Sequence, residues 1–344
     1  MIKIDVATAQ AYSVTIGSGL LLTLAQEVKA HTKAEKVCIV SDSHVFPLYG
    51  KTLEKVLQDA GYITANFIFS AGETQKNSST YLQLLEFLAD NGLTRSDCII
   101  ALGGGVVGDL AGFAAATYLR GIAYIQVPTT LLAMVDSSVG GKTGIDLQAG
   151  KNLAGAFYQP TAVICDTDTL STLPEEIFRD GCAEVIKYAV LFDPQLFAAL
   201  EECGMEFQRE AVIARCVEHK KNMVVHDEFD KGLRRLLNFG HTIGHAIEVC
   251  SHYEISHGRA VSIGMSVICR SAKCKDTKRI TALLAAFDLP VSTDFSAGAL
   301  CEAALSDKKR HGKTINLVIA DHIGSCAIIP APVEKLKTFI EEGL

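Results

Sequence analysis

The chain has 344 residues, which is enough for two domains that each form a hydrophobic core. Apolar residues make up 49% of it and charged residues 21%, so its composition is that of an ordinary globular protein. A net charge of −7 argues against broad binding to nucleic acids or membrane surfaces, and no secretory signal is expected because the first ten residues lack the basic and apolar pattern of one.

The first half of the chain alternates predicted strands and helices. Residues 36–42 form a short β-branched run that ends in an acid, and residues 52–60 have helical spacing that Gly61 ends. The other predicted strands are 62–69, 98–102, 122–128 and 162–166, and the other helices are 79–90 and 110–119. Strands separated by helices predict an α/β fold, with a parallel sheet covered by helices on both faces.

The pattern changes after about residue 173, and Pro174 suits the first turn of a helix. Helices are predicted over 175–189, 195–202, 209–225, 241–250, 258–273, 277–287 and 297–305, with strands only at 315–320 and 325–330. We therefore predict an α/β domain over residues 1–172, a mostly α-helical domain over 173–344, and a ligand-binding cleft between them.

Residues 99–119 carry little charge and are about as long as a membrane span. The stretch contains several glycines and Asp109, and a carboxylate inside a membrane is costly. A buried strand, a glycine turn and a buried helix explain it better.

Eleven cysteines are scattered along the chain without a CxxC pair, and several, such as Cys38 and Cys98, lie in apolar runs. This pattern indicates buried free thiols in a reducing cytoplasm, because an odd count without paired spacing does not suggest a disulfide framework. Binding of zinc by thiolates is the alternative, and the spacing does not support it.

Gly103, Gly105 and Gly108 fit the pattern GxGxxG between a predicted strand and a predicted helix. Such glycines let the backbone approach a pyrophosphate at the positive N-terminus of the helix. Asp42, at the end of an earlier strand, could accept hydrogen bonds from ribose hydroxyls. In the standard dinucleotide pattern the acid lies about twenty residues after the glycines, whereas Asp42 lies before them, so this is not the standard pattern. A tight turn without a ligand is the alternative.

Two further segments carry polar residues suited to a phosphorylated or polyol ligand. The loop SAGETQKN offers Gly72, Glu73 and Lys76 at a strand end. The segment from Pro128 to Asn152 combines hydroxyls, an acid, lysines and an amide: Thr129, Thr130, Asp136, Lys142, Lys151 and Asn152. A solvated loop is the alternative for the second segment, although its apolar LLAMV argues against it.

Histidines and carboxylates are concentrated in residues 238–258. Helical spacing places His241, His245 and Glu248 on one face, and His257 begins the next predicted helix. A further carboxylate, Glu184, lies in the helical stretch GCAEVIKYAV. These are the side chains of a catalytic zinc site, which uses three protein ligands and leaves one position open. Spacing alone favours His241 and His245 as the metal-binding pair.

Basic residues flank this cluster and suit the binding of phosphate or carboxylate groups. Most such charges form solvated surfaces, but beside a metal and a nucleotide they could hold an anionic substrate. They are Lys187, Lys220, Arg234, Lys308, Lys309 and Arg310.

Several motifs together resemble the 3-dehydroquinate synthase family of sugar phosphate cyclases. They are GGGVVGDLAGFAAATYLRG, VPTTLLAMVDSSVGGKTGID, GCAEVIKY, GLRRLLNFGHTIGHAIE, HG at 257–258 and DKKRHGK. They occur in family order and extend from about residue 37 to 320. The resemblance implies the fold that these cyclases share with metal-dependent glycerol dehydrogenases, together with NAD and a divalent metal, zinc or cobalt.

The resemblance also implies roles for individual residues. The implied metal ligands are Glu184, His241 and His257, in place of the pair that spacing favours. Implied substrate-site residues are His245, Lys142, Asp136, Asn152, Lys187, Lys220, Arg234, Asn238, Arg120 and one lysine of DKK, with Lys308 preferred over Lys309. Implied cofactor-binding residues are Asp42, Glu73, Lys76, Gly104, Gly105, Val106, Gly108, Asp109, Thr129, Thr130, Lys142, Lys151, Thr169 and Thr172.

The implied reaction converts 3-deoxy-D-arabino-heptulosonate 7-phosphate to 3-dehydroquinate and phosphate, in the shikimate pathway of aromatic amino acid biosynthesis. It comprises transient NAD-dependent oxidation at C5, phosphate elimination, re-reduction, ring opening and intramolecular aldol closure. His245 could relay protons near the C5 oxygen, and the substrate phosphate could itself remove the proton that is lost in the elimination. Arg120 matches a residue that reaches the neighbouring subunit's site, so we expect a cytoplasmic homodimer.

Three other functions remain open from the residues alone. A related cyclase could act on a sugar phosphate without a carboxylate, as 2-deoxy-scyllo-inosose synthase does. A metal-dependent NAD alcohol dehydrogenase would give net redox chemistry, which the basic residues argue against. A non-enzymatic nucleotide-binding module would not need so many matched polar residues.

Overall fold

The computed structural model describes residues 1–306 and 313–344. The chain divides into two compact units. Unit 1 comprises residues 1–173 and 220–229, and unit 2 comprises residues 174–219 and 230–344.

Unit 1 is an α/β structure. Its strands are β1 (Ile2–Val6), β2 (Tyr12–Gly17), β3 (Lys36–Asp42), β4 (Ile63–Phe69), β5 (Cys98–Gly103), β6 (Ala123–Pro128), β7 (Lys142–Leu147), β8 (Gly150–Phe157) and β9 (Ala162–Asp166). Its helices are α1 (Leu24–His31), α2 (Lys51–Asp59), α3 (Ser78–Asp90) and α4 (Gly105–Thr117).

Seven strands of unit 1 form one sheet in the order β1-β2-β9-β6-β5-β3-β4, and every neighbouring pair except β1–β2 is parallel. Successive side chains of β3 enter different cores, because residues alternate between the faces of a strand. Ile39 packs in the core of Leu53 from α2, and Val40 packs in the core of Leu84 from α3. The predicted parallel sheet with helices on both faces is confirmed.

The antiparallel hairpin β7–β8 was not predicted, because residues 128–152 were interpreted as ligand-binding loops. Gly144 of β7 lies directly opposite Gly155 of β8. A Cβ at Gly155 would overlap with the Thr143 carbonyl oxygen, so the strands pair closely only because both residues are glycine. The same glycines lower the strand propensity of the segment and conceal the hairpin in the sequence.

Unit 2 is mostly helical, as predicted. Its helices are α5 (Glu175–Phe192), α6 (Pro194–Cys203), α7 (Arg209–His226, whose last turns belong to unit 1), α8 (His241–Cys250), α9 (His257–Ser271), α10 (Thr277–Ala286), α11 (Ala297–Ser306) and α12 (Leu336–Glu341). The two predicted tail strands are β10 (Thr314–His322) and β11 (Ser325–Pro332), which form an antiparallel hairpin. The short helices α1 and α12 were not predicted.

The structure bears on two features that the sequence argues against, a membrane-spanning helix and a disulfide framework. In the part of the chain that the structure describes, no helix has the length and hydropathy needed to cross a membrane. All eleven cysteines are free thiols, and seven of them are buried as predicted. The prediction of burial is wrong for Cys203, which is exposed, and for Cys250, Cys301 and Cys326, which are half-buried. Burial raises the pKa of the Cys38 thiol to about 12, so this cysteine is an inert core residue rather than a reactive one.

Candidate active site

The glycine turn joins β5 to α4, so the predicted strand–turn–helix arrangement is confirmed. Gly103 ends the strand, Gly104 precedes the helix and Gly105 begins it. A Cβ at Gly108 would lie 2.7 Å from Gln126 Oε1, so this glycine lets α4 pack closely on β6. The turn therefore presents the N-terminus of a buried helix, which carries partial positive charge and suits a phosphate group.

Several of the implied cofactor-binding residues lie along one edge of the sheet. Asp42 ends β3, Gly104 follows β5, Thr129 follows β6 and Thr169 lies in the turn after β9. These four strands are parallel neighbours, so their carboxyl ends share an edge. In open α/β sheets this is the edge at which ligands bind. The position of these residues therefore agrees with the implied nucleotide site.

Some of the edge residues also stabilise local structure. Asp42 Oδ1 accepts hydrogen bonds from the backbone N–H groups of His44 (2.8 Å) and Val45 (2.9 Å). The Tyr49 hydroxyl donates to the Thr169 carbonyl oxygen at 3.1 Å and contacts the Thr172 hydroxyl. Asp42 Oδ1 is thus held by its own turn.

Charged residues of the loop before α3 form a network with α4. Lys76 is only 4% exposed, and its Nζ lies 2.8 Å from Asp109 Oδ2 and 3.6 Å from Glu73 Oε1. Lys151 Nζ lies 3.8 Å from the same Glu73 oxygen. Burial alone would lower the pKa of Lys76, but Asp109 and Glu73 raise it, so the ammonium stays charged. These four residues come from separate segments of the sequence, and in the structure they form one charged network.

The segment around the β7–β8 hairpin holds three of the implied substrate residues, and a fourth, Lys220 of α7, contacts it. Lys220 Nζ lies 2.9 Å from Asp136 Oδ1, and Lys142 begins β7 with an exposed side chain. Asn152 has a φ of 54°, and its backbone N–H donates to Asp146 Oδ1 at 2.7 Å. Asp146 therefore stabilises the left-handed turn that presents Asn152.

Arg120 lies in the turn after α4, in a conformation that is unusual for an arginine. Leu119 has a φ of 50° and Arg120 a φ of 67°, and the Arg120 side chain is exposed. Two successive left-handed residues without glycine are costly, so this turn exposes Arg120 at some cost in stability.

Three helices of unit 2 bring together Glu184, His241 and His257. Glu184 lies inside α5 with no exposed surface, and the two histidines are the first residues of α8 and α9. Nε2 of each histidine lies 3.4 Å from Glu184 Oε1. Ligand atoms of the three residues all lie within 4.8 Å of one another.

The electrostatics of this group suit a bound cation. Neither buried oxygen of Glu184 has a hydrogen-bond partner among the described residues, although Lys187 makes an ion pair with Oε2. Burial alone would raise the pKa of Glu184, but Lys187 and His241 lower it well below its usual value. Burial and Lys187 lower the pKa of His241 to about 4, so Glu184 is ionised and His241 is neutral.

An ionised carboxylate and a neutral imidazole are the forms in which these side chains bind a metal. Burial would lower the pKa of His257, but Glu184 and Glu248 raise it to about 10, so a metal would displace its proton. Two imidazole nitrogens and one carboxylate with an open position fit a catalytic zinc or cobalt ion.

His245 borders the group from α8. Its ring centroid lies 5.4 Å from that of His241 and 6.1 Å from that of His257. Among the described residues, His245 belongs to a second group of possible metal ligands with Glu248 and His257, and no group contains both His241 and His245. Spacing alone favoured that pair because two histidines four residues apart share a helix face, and it could not indicate Glu184, which lies 57 residues before His241.

Arg234 and Asn238 lie in the short helical segment before α8, and the Arg234 side chain is buried. Lys187 lies three residues after Glu184 on α5 and is also buried. Lys308, Lys309 and Arg310 lie outside the described residues.

Close packing of α8 against α9 places His241 beside His257. Gly264 of α9 faces Gly240 and Gly244, and a Cβ there would overlap with the Gly240 carbonyl oxygen. We expect Gly264→Ala to lower the free energy of unfolding by about 2 kcal/mol, because overpacking forces the backbones apart, and to weaken metal binding. Circular dichroism and metal titration measure the two effects.

The matched control is Gly298→Ala on α11, where the nearest atoms to an added Cβ lie 3.9 and 4.0 Å away. This variant should be neutral or slightly more stable, since alanine favours a helix more than glycine does. Equal stability of the two variants would contradict the role of Gly264.

Comparison with known proteins decides the family. Residues 66–180 match the family described as 3-dehydroquinate synthase N-terminal, and residues 181–310 match 3-dehydroquinate synthase C-terminal. The chain belongs to the 3-dehydroquinate synthase family. A 3-dehydroquinate synthase from Streptococcus suis is 43% identical over 343 residues, which covers 96% of this chain and 97% of that protein. The resemblance seen in the sequence is confirmed.

Solved structures agree with this family and with its fold. A 2-deoxy-scyllo-inosose synthase complexed with carbaglucose-6-phosphate, NAD⁺ and Co²⁺ has a TM-score of 0.87 and 26% identity, with 100% of both chains covered. A 2-epi-5-epi-valiolone synthase from Streptomyces hygroscopicus with NAD⁺ and Zn²⁺ bound has a TM-score of 0.86 and 27% identity, with 96% of both chains covered. The predicted fold class is confirmed.

Proposed function

We infer that this chain catalyses the 3-dehydroquinate synthase reaction, in which 3-deoxy-D-arabino-heptulosonate 7-phosphate gives 3-dehydroquinate and phosphate. It is a carbon–oxygen lyase that eliminates phosphate. The observation that carries this inference is the family match over residues 66–310, which includes both the glycine turn and the group of Glu184, His241 and His257.

NAD is the cofactor, and when bound it accepts a hydride from the substrate and later returns it, so that the reaction has no net redox change. Residues of unit 1 would hold it. The N-terminus of α4, with Gly104 and Gly105, would bind the pyrophosphate, and Asp42 would accept hydrogen bonds from the ribose hydroxyls. The remaining contacts would come from Glu73, Lys76, Val106, Gly108, Asp109, Thr129, Thr130, Lys142, Lys151, Thr169 and Thr172.

A divalent metal, zinc or cobalt, acts as a Lewis acid on substrate oxygen atoms when it is bound. Glu184, His241 and His257 would hold it through one carboxylate oxygen and two Nε2 atoms. The buried Lys187 beside Glu184 keeps the carboxylate ionised before the metal binds. His245, at the edge of this group, would accept or donate a proton at a substrate hydroxyl.

The substrate carries a phosphate and a carboxylate, and the basic residues would hold these two anions. Arg234 can form two parallel hydrogen bonds to either anion, whereas Lys142, Lys187, Lys220 and Lys308 act as point charges. Asp136, Asn152 and Asn238 would bind the hydroxyl groups. Holding both ends of the substrate fixes its reacting carbons, and such positioning is worth several kcal/mol.

Residues 1–172 would form the NAD-binding domain and residues 173–344 the domain that binds the metal and substrate. The protein would work as a cytoplasmic homodimer in which Arg120 completes the neighbouring site. The exposed, left-handed Arg120 supports this arrangement. A fully active monomer, isolated by size-exclusion chromatography, would overturn it.

One assay tests the function. The metal-loaded protein is incubated with the heptulosonate phosphate and substoichiometric NAD, and phosphate and NADH are followed together. A synthase releases many phosphates for each NAD, whereas an alcohol dehydrogenase accumulates NADH in proportion to the NAD supplied and releases no phosphate. Glucose 6-phosphate is the control substrate without a carboxylate. Turnover of glucose 6-phosphate alone would instead indicate an inosose-type cyclase.

A further inference from the structure

The two histidines of the metal group are arranged alike. Each directs Nε2 towards Glu184 Oε1, at 3.4 Å, and so each keeps Nδ1 for a second partner. The partner of His241 Nδ1 is the Phe239 carbonyl oxygen at 3.0 Å. A carbonyl oxygen can only accept, so this contact places the proton of His241 on Nδ1 and leaves the lone pair of Nε2 for a metal.

The partner of His257 Nδ1 is a carboxylate. Glu248 Oε1 lies 3.7 Å from this nitrogen, and the Glu248 side chain is only about 5% exposed. Glu248 lies on α8, two turns after His241, and therefore on the same face of the helix. Burying a carboxylate is costly unless it is paired, and the His257 imidazole is one group that pairs with it.

We propose that Glu248 is a positioning residue for His257, fixing its proton on Nδ1 and its Nε2 lone pair towards the metal. This inference rests on the metal site proposed above. The arrangement matches a general feature of metal-binding histidines, whose second nitrogen donates to a carboxylate or a backbone carbonyl. In this structure His241 Nδ1 lies at hydrogen-bond distance from the Phe239 carbonyl oxygen, whereas His257 Nδ1 lies at ion-pair distance from Glu248, slightly beyond a hydrogen bond.

A different arrangement is geometrically possible and must be separated from this one. His245, Glu248 and His257 also have ligand atoms within 4.8 Å of one another, so Glu248 could itself bind the metal. Glu184 is the better ligand because both histidine Nε2 atoms face it, whereas Glu248 faces Nδ1. If Glu248 only positions His257, a Glu248 variant should lose less metal affinity than a Glu184 variant. If Glu248 is itself a ligand, the two variants should lose metal affinity to the same degree.

The experiment measures Zn²⁺ and Co²⁺ affinity by competition with a chromophoric chelator, on metal-stripped protein without substrate. Glu248→Gln keeps the shape of the side chain and removes its charge, and we expect affinity to fall about 10–100-fold. Glu184→Gln should lose more, since it removes a ligand. Glu254→Gln, an exposed glutamate in the loop before α9, is the matched control and should bind as the wild type does.

The visible spectrum of bound Co²⁺ gives a second readout. A positioning role leaves the ligand set intact, so the Co²⁺ spectrum of Glu248→Gln should keep the wild-type band positions. Loss of affinity equal to that of Glu184→Gln, with a changed spectrum, would show that Glu248 is a ligand and overturn the proposal. Unchanged affinity would also overturn it.

The same variants distinguish an error in the proposed metal site from an error in the positioning role of Glu248. If Glu184→Gln binds metal normally, the proposed metal site itself is wrong. If Glu184→Gln fails to bind while Glu248→Gln binds normally, only the positioning role is wrong. Circular dichroism checks folding, and if Glu248→Gln does not fold, Glu248→Asp replaces it. The shorter carboxylate should bind metal more weakly than the wild type with the fold intact, and wild-type affinity would contradict the role.

Discussion

Replacing Glu184 by glutamine is expected to lower kcat/KM for the heptulosonate phosphate at least about a thousandfold, since Lewis-acid stabilisation is worth several kcal/mol. The amide keeps the volume of the side chain but cannot supply the negative charge that two neutral imidazoles lack. Because Glu184 is completely buried, water cannot take its place. Metal content by elemental analysis should fall with the activity.

The same substitution leaves Lys187 buried without its carboxylate partner. Removing one partner of a buried ion pair costs about 3–5 kcal/mol, so part of the effect could come from the fold. Glu176→Gln on the same helix is the control, because Glu176 is exposed. Thermal unfolding of metal-stripped proteins separates the two contributions. A folded Glu184→Gln protein that still holds one metal per chain would show that Glu184 is not a ligand.

Five of the seven strands of the large sheet and most helices could be predicted because their sequences repeat with the period of the element, whereas β1 and β2 were not predicted. Residues 36–42 are a nearly continuous apolar run, which a parallel strand needs since both of its faces are buried. The hairpin β7–β8 lacks such a pattern, because Gly144 and Gly155 replace strand-forming residues where the two backbones meet. Close pairing of the two backbones stabilises this hairpin, and hydrophobic periodicity carries no signal of such pairing.

The candidate site shows the same limit. His241 and His245 are conspicuous because they are one helical turn apart, but the geometry groups His241 with His257 and with Glu184 from a distant helix. Local spacing carries no information on which helices pack together. Glu184 was a candidate from its residue type, and only the family resemblance combined it with His241 and His257 as a ligand set. Glu248 was predicted as a carboxylate of the metal cluster because it shares a helix face with His241 and His245, and its place beside His257 Nδ1 is seen only in the structure.

A second large effect is expected in unit 1, where Asp109→Asn should lower the free energy of unfolding by about 3 kcal/mol and weaken NAD binding. The substitution leaves the Lys76 ammonium buried, with Glu73 at 3.6 Å and the more distant Asp146 to balance it. These remaining acids are the reason for expecting the lower end of the usual cost. Urea unfolding followed by circular dichroism measures stability, and calorimetry measures NAD binding. Asp59→Asn, on the exposed end of α2, should change neither.

The double variant Lys76→Met/Asp109→Asn separates folding from binding. Removing both charges leaves no unpaired ion in the core, so most of the lost stability should return, and a double-mutant cycle should show strong coupling. NAD binding should remain weak, because both proposed contacts are gone. Hydrogen exchange of the β5 and α4 amides can assign the change to unit 1. A double variant as unstable as Asp109→Asn would mean that Asp109 supports the fold through contacts other than Lys76, and normal NAD binding would remove both residues from the cofactor site.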